Sequence, residues 1–459
     1  MVIPTKIFRT YDIRGIFEED LTEEVVAVIG RAIGTYFINQ NLKRIIVGHD
    51  NRVSSPKIKD ILIKNLLETG VDVVDLDTAL TPFVYFSWHE LDANATIMIT
   101  ASHNPVKYNG FKISRNKKPL VGEDYQEIMG ICQKGQFAKG EGHLTQVNLW
   151  PAYKEAIKKA IRITRPLKVA VDCGNGTASL FAPEILRELG NEVATIFCES
   201  DGRFPHHDPY PQKIELYEEL IKTLKAKNAS LGLAFDGDAD RLGVYDEKGN
   251  FVENDRLAMI FAEDICRKHP HPKIVMNVST SLSVIEYIQK CGGEVILWKT
   301  GYPFIAEKMN EVGAIFGGEI SGHFFFKDRY FGYDDALYAA CRILEIVSLS
   351  QEPLSAIVAR LPRYYETREM RIELSEDQDK FAIARKVATE IETEFPESQM
   401  LDIDGLKFIF ADGWGLIRPS NTEPIISVRA EAKTPERLTE IKQLIQRKLE
   451  ENSVSFSWE

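Results

Sequence analysis

The chain is expected to be α/β: three topologically related mixed α/β domains, then a C-terminal α+β domain. Three observations carry this. The first is a repeated grammar. RIIVGHDNRVSS runs on to LLETGVDVVDL, KVAVDCGNGTASL to LRELGNEVATIF, and KIVMNVSTSLSV to IQKCGGEVILW. Each stretch is a β-branched strand, a Gly/Asn/Ser loop, a helix stopping near Gly70, Gly190 or Gly293, and a second strand, which is a βαβ unit. Val47, Val171 and Val275 stand roughly 100–125 residues apart, the scale of a domain rather than of a solenoid repeat. The second observation is a further strand after each unit that empties into an unusual loop: IMITASHNP, LGLAFDGDADR and AIFGGEISGH. Ligands in α/β sheets bind beyond the carboxyl ends of strands, so three such loops are expected to converge on one cleft. The third is a change of pattern near residue 364.

In chain order, residues 1–148 carry VVAVIGRAIGTYFI, a core-facing helix interrupted by Arg31, and then the first βαβ unit. Residues 149–252 and 253–363 carry the second and third units. Residues 364–459 open with RIEL and SEDQ, where Ser375 and Gln378 suggest a capping box. LKFIFAD, WGLIRPS and PIISVRAEA follow as mostly antiparallel strands, and Thr434-Pro435 starts the last helix with proline at its first position.

Composition narrows the function. The 459 residues are 44% hydrophobic and 27% charged, with a net charge of −12 and no basic tract. That balance argues for a globular chain and against a nucleic-acid surface. Six scattered cysteines with no CxxC pair fit reduced thiols better than a disulfide frame or zinc site. MVIPTKIFRTYDIRG lacks the apolar core of a signal peptide, and no membrane span is read, so the expectation is a cytoplasmic protein.

Four stretches carry chemistry. TASHNP places Ser102, followed by His103 and a proline-locked turn, at the end of a buried strand. DGDADR sets Asp236, Asp238 and Asp240 at alternate positions. In an extended loop these project to one side and repel unless a hard cation such as Mg²⁺, Mn²⁺ or Ca²⁺ joins them. An EF-hand is excluded, because Arg241 stands where its glycine is needed and the flanks read as strands. RPSNTEP offers Arg418, Ser420, Asn421 and Thr422, a guanidinium, hydroxyls and an amide suited to a phosphate. GEISGH offers Glu319, Ser321 and His323, a mixture of donors and acceptors suited to a polyol. Arg14, close to Tyr11 in YDIRG, and Lys112 are cations able to offset phosphate charge. Each stretch also has a plainer reading as a turn or solvated surface; their coexistence favours a site.

TASHNP, DGDADR, GEISGH and RPSNTEP, in that order, closely resemble the α-D-phosphohexomutase superfamily and most nearly its bacterial phosphomannomutase/phosphoglucomutase branch. The resemblance spans nearly the whole chain and implies three α/β domains around a central cleft, completed by a C-terminal phosphate-binding domain. It implies a phosphoserine at Ser102, and one Mg²⁺ held by Asp236, Asp238, Asp240 and an oxygen on Ser102. Arg241 would lie near the transferring phosphoryl group, and Glu319 and Ser321 on sugar hydroxyls. Arg418, Ser420, Asn421 and Thr422 would hold the unreacting phosphate. Arg14, Lys112 and His323 are acid/base or charge-stabilising candidates, and Tyr11, His103 and Tyr302 complete the substrate-binding set. Hexose phosphates are the implied partners, glucose 1,6-bisphosphate the activator and intermediate, and the oligomeric state is monomer or homodimer. Tyr302 stands where the branch usually has histidine, and Ser279 where a lysine commonly reaches the substrate, which bears on sugar preference.

GEISGH resembles the mannose- and glucose-tolerant loop, with glucosamine phosphate the nearest alternative. Two further readings compete. One makes Asp236 an acyl-phosphate nucleophile, which leaves TASHNP idle. The other is a sugar-phosphate sensor without turnover, motivated by Tyr302 and Ser279.

Overall fold

The computed structural model describes residues 3–375, 378–419 and 425–458. The chain divides into two compact units, 1–257 with 315–359, and 258–314 with 360–459.

In the first unit, one sheet runs in the order Ile13–Ile16, Tyr108–Arg115, Ala95–Ile99, Arg44–His49, Asp72–Thr78, Leu144–Gln146, with Lys118–Pro119 beside Tyr108–Arg115. Arg44–His49 pairs in parallel with Asp72–Thr78 across the helix Ser55–Leu67, as the βαβ pattern requires. The helix Glu23–Asn39 begins at Thr22, whose hydroxyl accepts the Val25 N–H, and buries Val26, Ile29, Ile33 and Phe37 against this layer. A second sheet has the order Phe251–Val252, Leu242–Asp246, Leu231–Phe235, Lys168–Asp172, Glu192–Ile196, and again its βαβ pair is parallel. The hairpin Phe316–Gly318/Phe324–Phe326 belongs to this unit too.

In the second unit Lys273–Asn277 and Glu294–Trp298 are parallel. Its other sheet, antiparallel throughout, runs Tyr365–Glu366, Ile425–Ala432, Gly413–Pro419, Leu406–Phe410, Gln399–Asp402, with Met370–Glu373 beside Ile425–Ala432. The helices Lys380–Glu394 and Pro435–Glu451 bury Val387, Ile391, Ile441 and Ile445 in this unit's core. Thr434 caps the last helix through the Arg437 N–H, as its Thr-Pro start implies.

Two local expectations are corrected. The helix after SEDQ starts at Lys380, and its cap is Asp379, whose carboxylate accepts from the Phe381 and Ala382 N–H groups. Gln378 reaches the Ser375 N–H, upstream of the helix start, and caps nothing in this helix. The helix stop near Gly293 falls one residue earlier, on Gly292 at φ +91°, the position that needs left-handed backbone.

Candidate active site

The sheet register delivers two cations to one place. Tyr108–Arg115 lies between Ile13–Ile16 and Ala95–Ile99, with Gly110 opposite Arg14 and Lys112 opposite Met98. Alternate strand residues share a face, so Arg14 and Lys112 emerge together. Both are buried.

Ser102 follows Ala95–Ile99 and is only 3% exposed. It holds φ +50°, left-handed backbone that is uncommon for a residue with a side chain. Its N–H donates to Thr100 Oγ1 at 2.9 Å, and its Oγ donates to Asp236 Oδ2 at 2.6 Å with His103 Nδ1 3.1 Å away. Gly237 permits this approach of two loops, since a Cβ there would lie 2.5 Å from the Ser102 carbonyl oxygen.

Oxygens of Asp236, Asp238 and Asp240 lie within 4.8 Å of one another, all three residues buried. Asp236 Oδ1 accepts the Asp240 and Arg241 N–H groups. Lys112 Nζ donates to Asp238 Oδ2 at 2.7 Å and Asp240 Oδ2 at 2.5 Å. Burial opposes the Lys112 charge, but Asp238 and Asp240 outweigh it and raise its pKa. Burial, then Asp240 and Asp238, push the Asp236 carboxyl well above the usual range. Burial acts the same way on Asp240, but Lys112, His323 and Arg241 overcome it and lower its pKa. Asp238 Oδ1 and Asp240 Oδ1 are buried without a hydrogen-bond partner among the described residues. A crowded, all-oxygen donor set with orphaned acceptors fits a hard divalent cation.

Arg241 Nε donates to His323 Nε2 at 3.0 Å, and His323 Nδ1 lies 3.0 Å from Asp334 Oδ2 and 3.8 Å from Asp240 Oδ1. Accepting from Arg241 requires a lone pair on Nε2, so the ring proton sits on Nδ1 toward Asp334. Burial disfavours a second proton, yet Asp240 and Asp334 outweigh it and raise the His323 pKa. His103 moves the opposite way. Burial, then Arg241 and Arg14, hold it neutral, well below the usual imidazole range. Arg14 pairs with Asp12 at 2.6 Å and donates to Asn104 Oδ1 at 2.5 Å.

The GEISGH turn closes through the Gly322 N–H to Glu319 O, with Gly322 at φ +94°, and the Gly322 carbonyl accepts the Leu242 N–H. The sugar-loop candidate is thereby fixed to the strand leaving the acidic loop. Glu319 is buried and Ser321 half-buried. Burial, Asp12 and Glu319 raise the Tyr11 phenol.

Tyr302, Ser279 and Arg418 lie in the second unit. Tyr302 is buried at the start of the helix Tyr302–Val312. Arg418 is the penultimate residue of the strand Gly413–Pro419, with Asp404 at 3.4 Å and Glu369 at 3.6 Å. Cations meet the loop of Ser279 from elsewhere. Arg429 donates to the Ser279 carbonyl, and Lys407 to those of Val278 and Thr280. Ser420, Asn421 and Thr422 lie outside the described residues.

Several residues around Ser102 and His323 escaped the motif reading. Arg52, fully buried, donates through Nη2 to the carbonyls of Ser102 and Asn104, both at 2.7 Å, and through Nη1 to those of Pro105 and Tyr108. Its Nε meets Asp50, which also accepts from Thr100 Oγ1. This hub holds the left-handed serine, offsetting strain of the kind found at functional sites. The signal was an Asp-x-Arg directly after a buried strand. Asp334 was hidden in GYDDAL, where two acids precede an apolar helix. Asp335 alone caps it, through the Tyr338 N–H, which leaves Asp334 for His323.

Arg52→Lys tests the clamp, since it keeps a charge beside Asp50 but lacks the planar fork. The expected result is a kcat lower by about tenfold, with KM within about threefold, in steady-state kinetics. An unchanged kcat removes the positioning role.

Comparison with known proteins places the chain. Models of phosphoglucomutase/phosphomannomutase alpha/beta/alpha domains I, II and III match residues 5–139, 151–249 and 253–365, and the C-terminal domain matches 369–448. A phosphomannomutase/phosphoglucomutase from Pseudomonas aeruginosa is 40% identical over 97% of this chain and 96% of its own. A phosphoglucomutase from Neisseria gonorrhoeae is 40% identical over 98% of each. The crystal structure of a phosphoglucomutase/phosphomannomutase family protein from Burkholderia thailandensis superposes with a TM-score of 0.93 at 35% identity, covering 100% of both chains. These matches define an enzyme class, the intramolecular phosphotransferases, built here from four α/β domains. The chain belongs to the phosphoglucomutase/phosphomannomutase family.

Proposed function

We propose that the enzyme interconverts the 6- and 1-phosphates of mannose and glucose, through phosphorylated Ser102 and a hexose 1,6-bisphosphate. The observation that carries this is the 2.6 Å contact of Ser102 Oγ with Asp236, one of three carboxylates fit for a divalent ion. Asp236, Asp238 and Asp240, with an oxygen on Ser102, would hold Mg²⁺, which supplies charge stabilisation to the transferring phosphoryl group.

Arg14, Lys112 and Arg241 offset the remaining phosphate charge. His323 Nε2, released by Arg241, accepts the proton of the attacking sugar hydroxyl, while Asp334 fixes the ring. Glu319 and Ser321 bind sugar hydroxyls, and Tyr11, His103 and Tyr302 orient the substrate. Arg418, Ser420, Asn421 and Thr422 bind whichever phosphate is not reacting. The bisphosphate turns over between two transfers, so added glucose 1,6-bisphosphate activates by phosphorylating Ser102. Serine is favoured over Asp236 as phosphoryl carrier because Asp236 Oδ1 accepts two backbone N–H groups and Oδ2 the serine hydroxyl.

The corresponding domains are 1–148, 149–252, 253–363 and 364–459. The chain works in the cytoplasm as a monomer or homodimer; its six free cysteines support a reducing compartment. No described helix is long and apolar enough to cross a membrane.

A coupled assay with Mg²⁺ and a trace of glucose 1,6-bisphosphate tests the substrate assignment. Mannose and glucose phosphates are expected to show kcat/KM at least about tenfold above glucosamine phosphate. Preference for glucosamine phosphate overturns the assignment.

A further inference from the structure

Two of the free cysteines meet just beyond the ends of two adjacent strands of the second sheet. Cys198 Sγ lies 2.7 Å from Cys173 Sγ, with the carbonyls of Ile196 and Val171 at 3.3 and 3.5 Å. Strand register brings them together. Lys168–Asp172 and Glu192–Ile196 run in parallel with Asp172 opposite Ile196, so both thiols leave the sheet at the same end. The Cys173 N–H donates to the Ile196 carbonyl, fixing that exit. Cys173 is buried and Cys198 half-buried, so the pair has one inner and one outer sulfur.

We propose that Cys173 and Cys198 form a modification site, closing to a reversible disulfide when the protein meets hydrogen peroxide. The Cys198 thiolate attacks a peroxide oxygen, the S–O bond forms, the O–O bond breaks, and the leaving hydroxide takes the thiol's proton as water. The Cys173 sulfur then attacks Cys198 sulfur. The S–S bond forms, the S–O bond breaks, and hydroxide leaves with the Cys173 proton as a second water. Two thiols are oxidised by two electrons in total, and one peroxide is reduced. Closure to about 2.05 Å requires the sulfurs to move by less than an ångström.

The order of events follows from the surroundings. Burial and the neighbouring sulfur push the Cys173 thiol well up, so it retains its proton. Cys198, the more exposed of the two, meets the oxidant first. The bridge would tie two segments that share a task. Asn51 donates from its N–H to Thr177 Oγ1, and from Nδ2 to the Asn175 carbonyl and Ser200 Oγ. Asn51 precedes Arg52, the clamp on the serine loop, so the disulfide would brace the seat of that clamp, and Thr177 in the same segment donates its N–H to the Gly237 carbonyl of the acidic loop.

The test uses the full chain, reduced and then exposed to a few equivalents of hydrogen peroxide, blocked with N-ethylmaleimide and mapped without reduction. The expected product is a Cys173–Cys198 linked peptide pair, about 2 Da lighter than the two thiol peptides and reopened by dithiothreitol. Amide exchange over 173–177 and 197–201 is expected to slow on oxidation. Dimedone trapping of sulfenic acid at Cys198 is expected to be at least about tenfold greater in Cys173→Ser than in wild type, because the resolving thiol is gone. Wild-type protein that accumulates sulfenic or sulfinic acid at Cys198 with no linked peptide overturns the proposal. That measurement needs no variant, so misfolding of Cys173→Ser would not leave the question open.

Discussion

Replacing Ser102 by alanine is expected to lower mutase kcat by at least about 10⁴-fold, roughly 5.5 kcal/mol of transition-state stabilisation, in a chain that still folds. The loop's shape does not depend on the hydroxyl. The Ser102 N–H is held by Thr100 and its carbonyl by Arg52, and alanine keeps both contacts. What it loses is the oxygen that faces Asp236 and His103. Removing one buried hydrogen bond costs about 1 kcal/mol of stability, so melting should shift by only a few degrees. Steady-state assay beside thermal unfolding separates the two effects. Labelling with radioactive hexose 1,6-bisphosphate adds a chemical check: wild type should carry acid-stable phosphate on Ser102, and the variant none. Acid-labile label on Asp236, or more than about a tenth of wild-type activity in the variant, would remove the serine from its role.

Asp236→Asn, or removal of divalent ions by a chelator, is expected to lower kcat by about 10³-fold, near 4 kcal/mol. Only the chelated wild type should recover when Mg²⁺ is added back. Stability should respond differently. Without a cation the buried triplet repels itself, and Asp236 is the member whose carboxyl is pushed upward by burial and by Asp240 and Asp238. Asparagine there retains one acceptor oxygen and relieves the repulsion. The metal-free variant should therefore melt no lower than metal-free wild type. Saturating Mg²⁺ should raise the wild-type melting temperature, through about 2.7 kcal/mol at a hundredfold excess over Kd, and raise the variant's far less. Equal activity with and without chelator would exclude the metal role assigned to DGDADR.

How much of this was legible without coordinates follows from the range of each interaction. Local pattern determined the βαβ units, the antiparallel C-terminal sheet, the Thr434 cap and the loops bearing Ser102 and the three aspartates, because periodicity, turn residues and caps act within a few positions. Gly293 and SEDQ show the limit of that reading. The backbone needed its left-handed residue at Gly292, and the helix took Asp379, not Ser375, as its cap. Convergence was decided only by the tertiary fold. Nothing within KVAVDCGNG or IFCES announces that Cys173 and Cys198 touch, since parallel register sets it. Arg52 reads as a surface loop residue until the carbonyls of Ser102, Asn104, Pro105 and Tyr108 close around it, 50 to 56 positions away. Lys112 and the aspartates likewise become partners only when sheets from distant parts of the chain bring them within hydrogen-bond reach. Hydrogen bonds and buried charges act over a few ångströms of space, whatever the separation in sequence, so motifs named the participants and packing chose their partners.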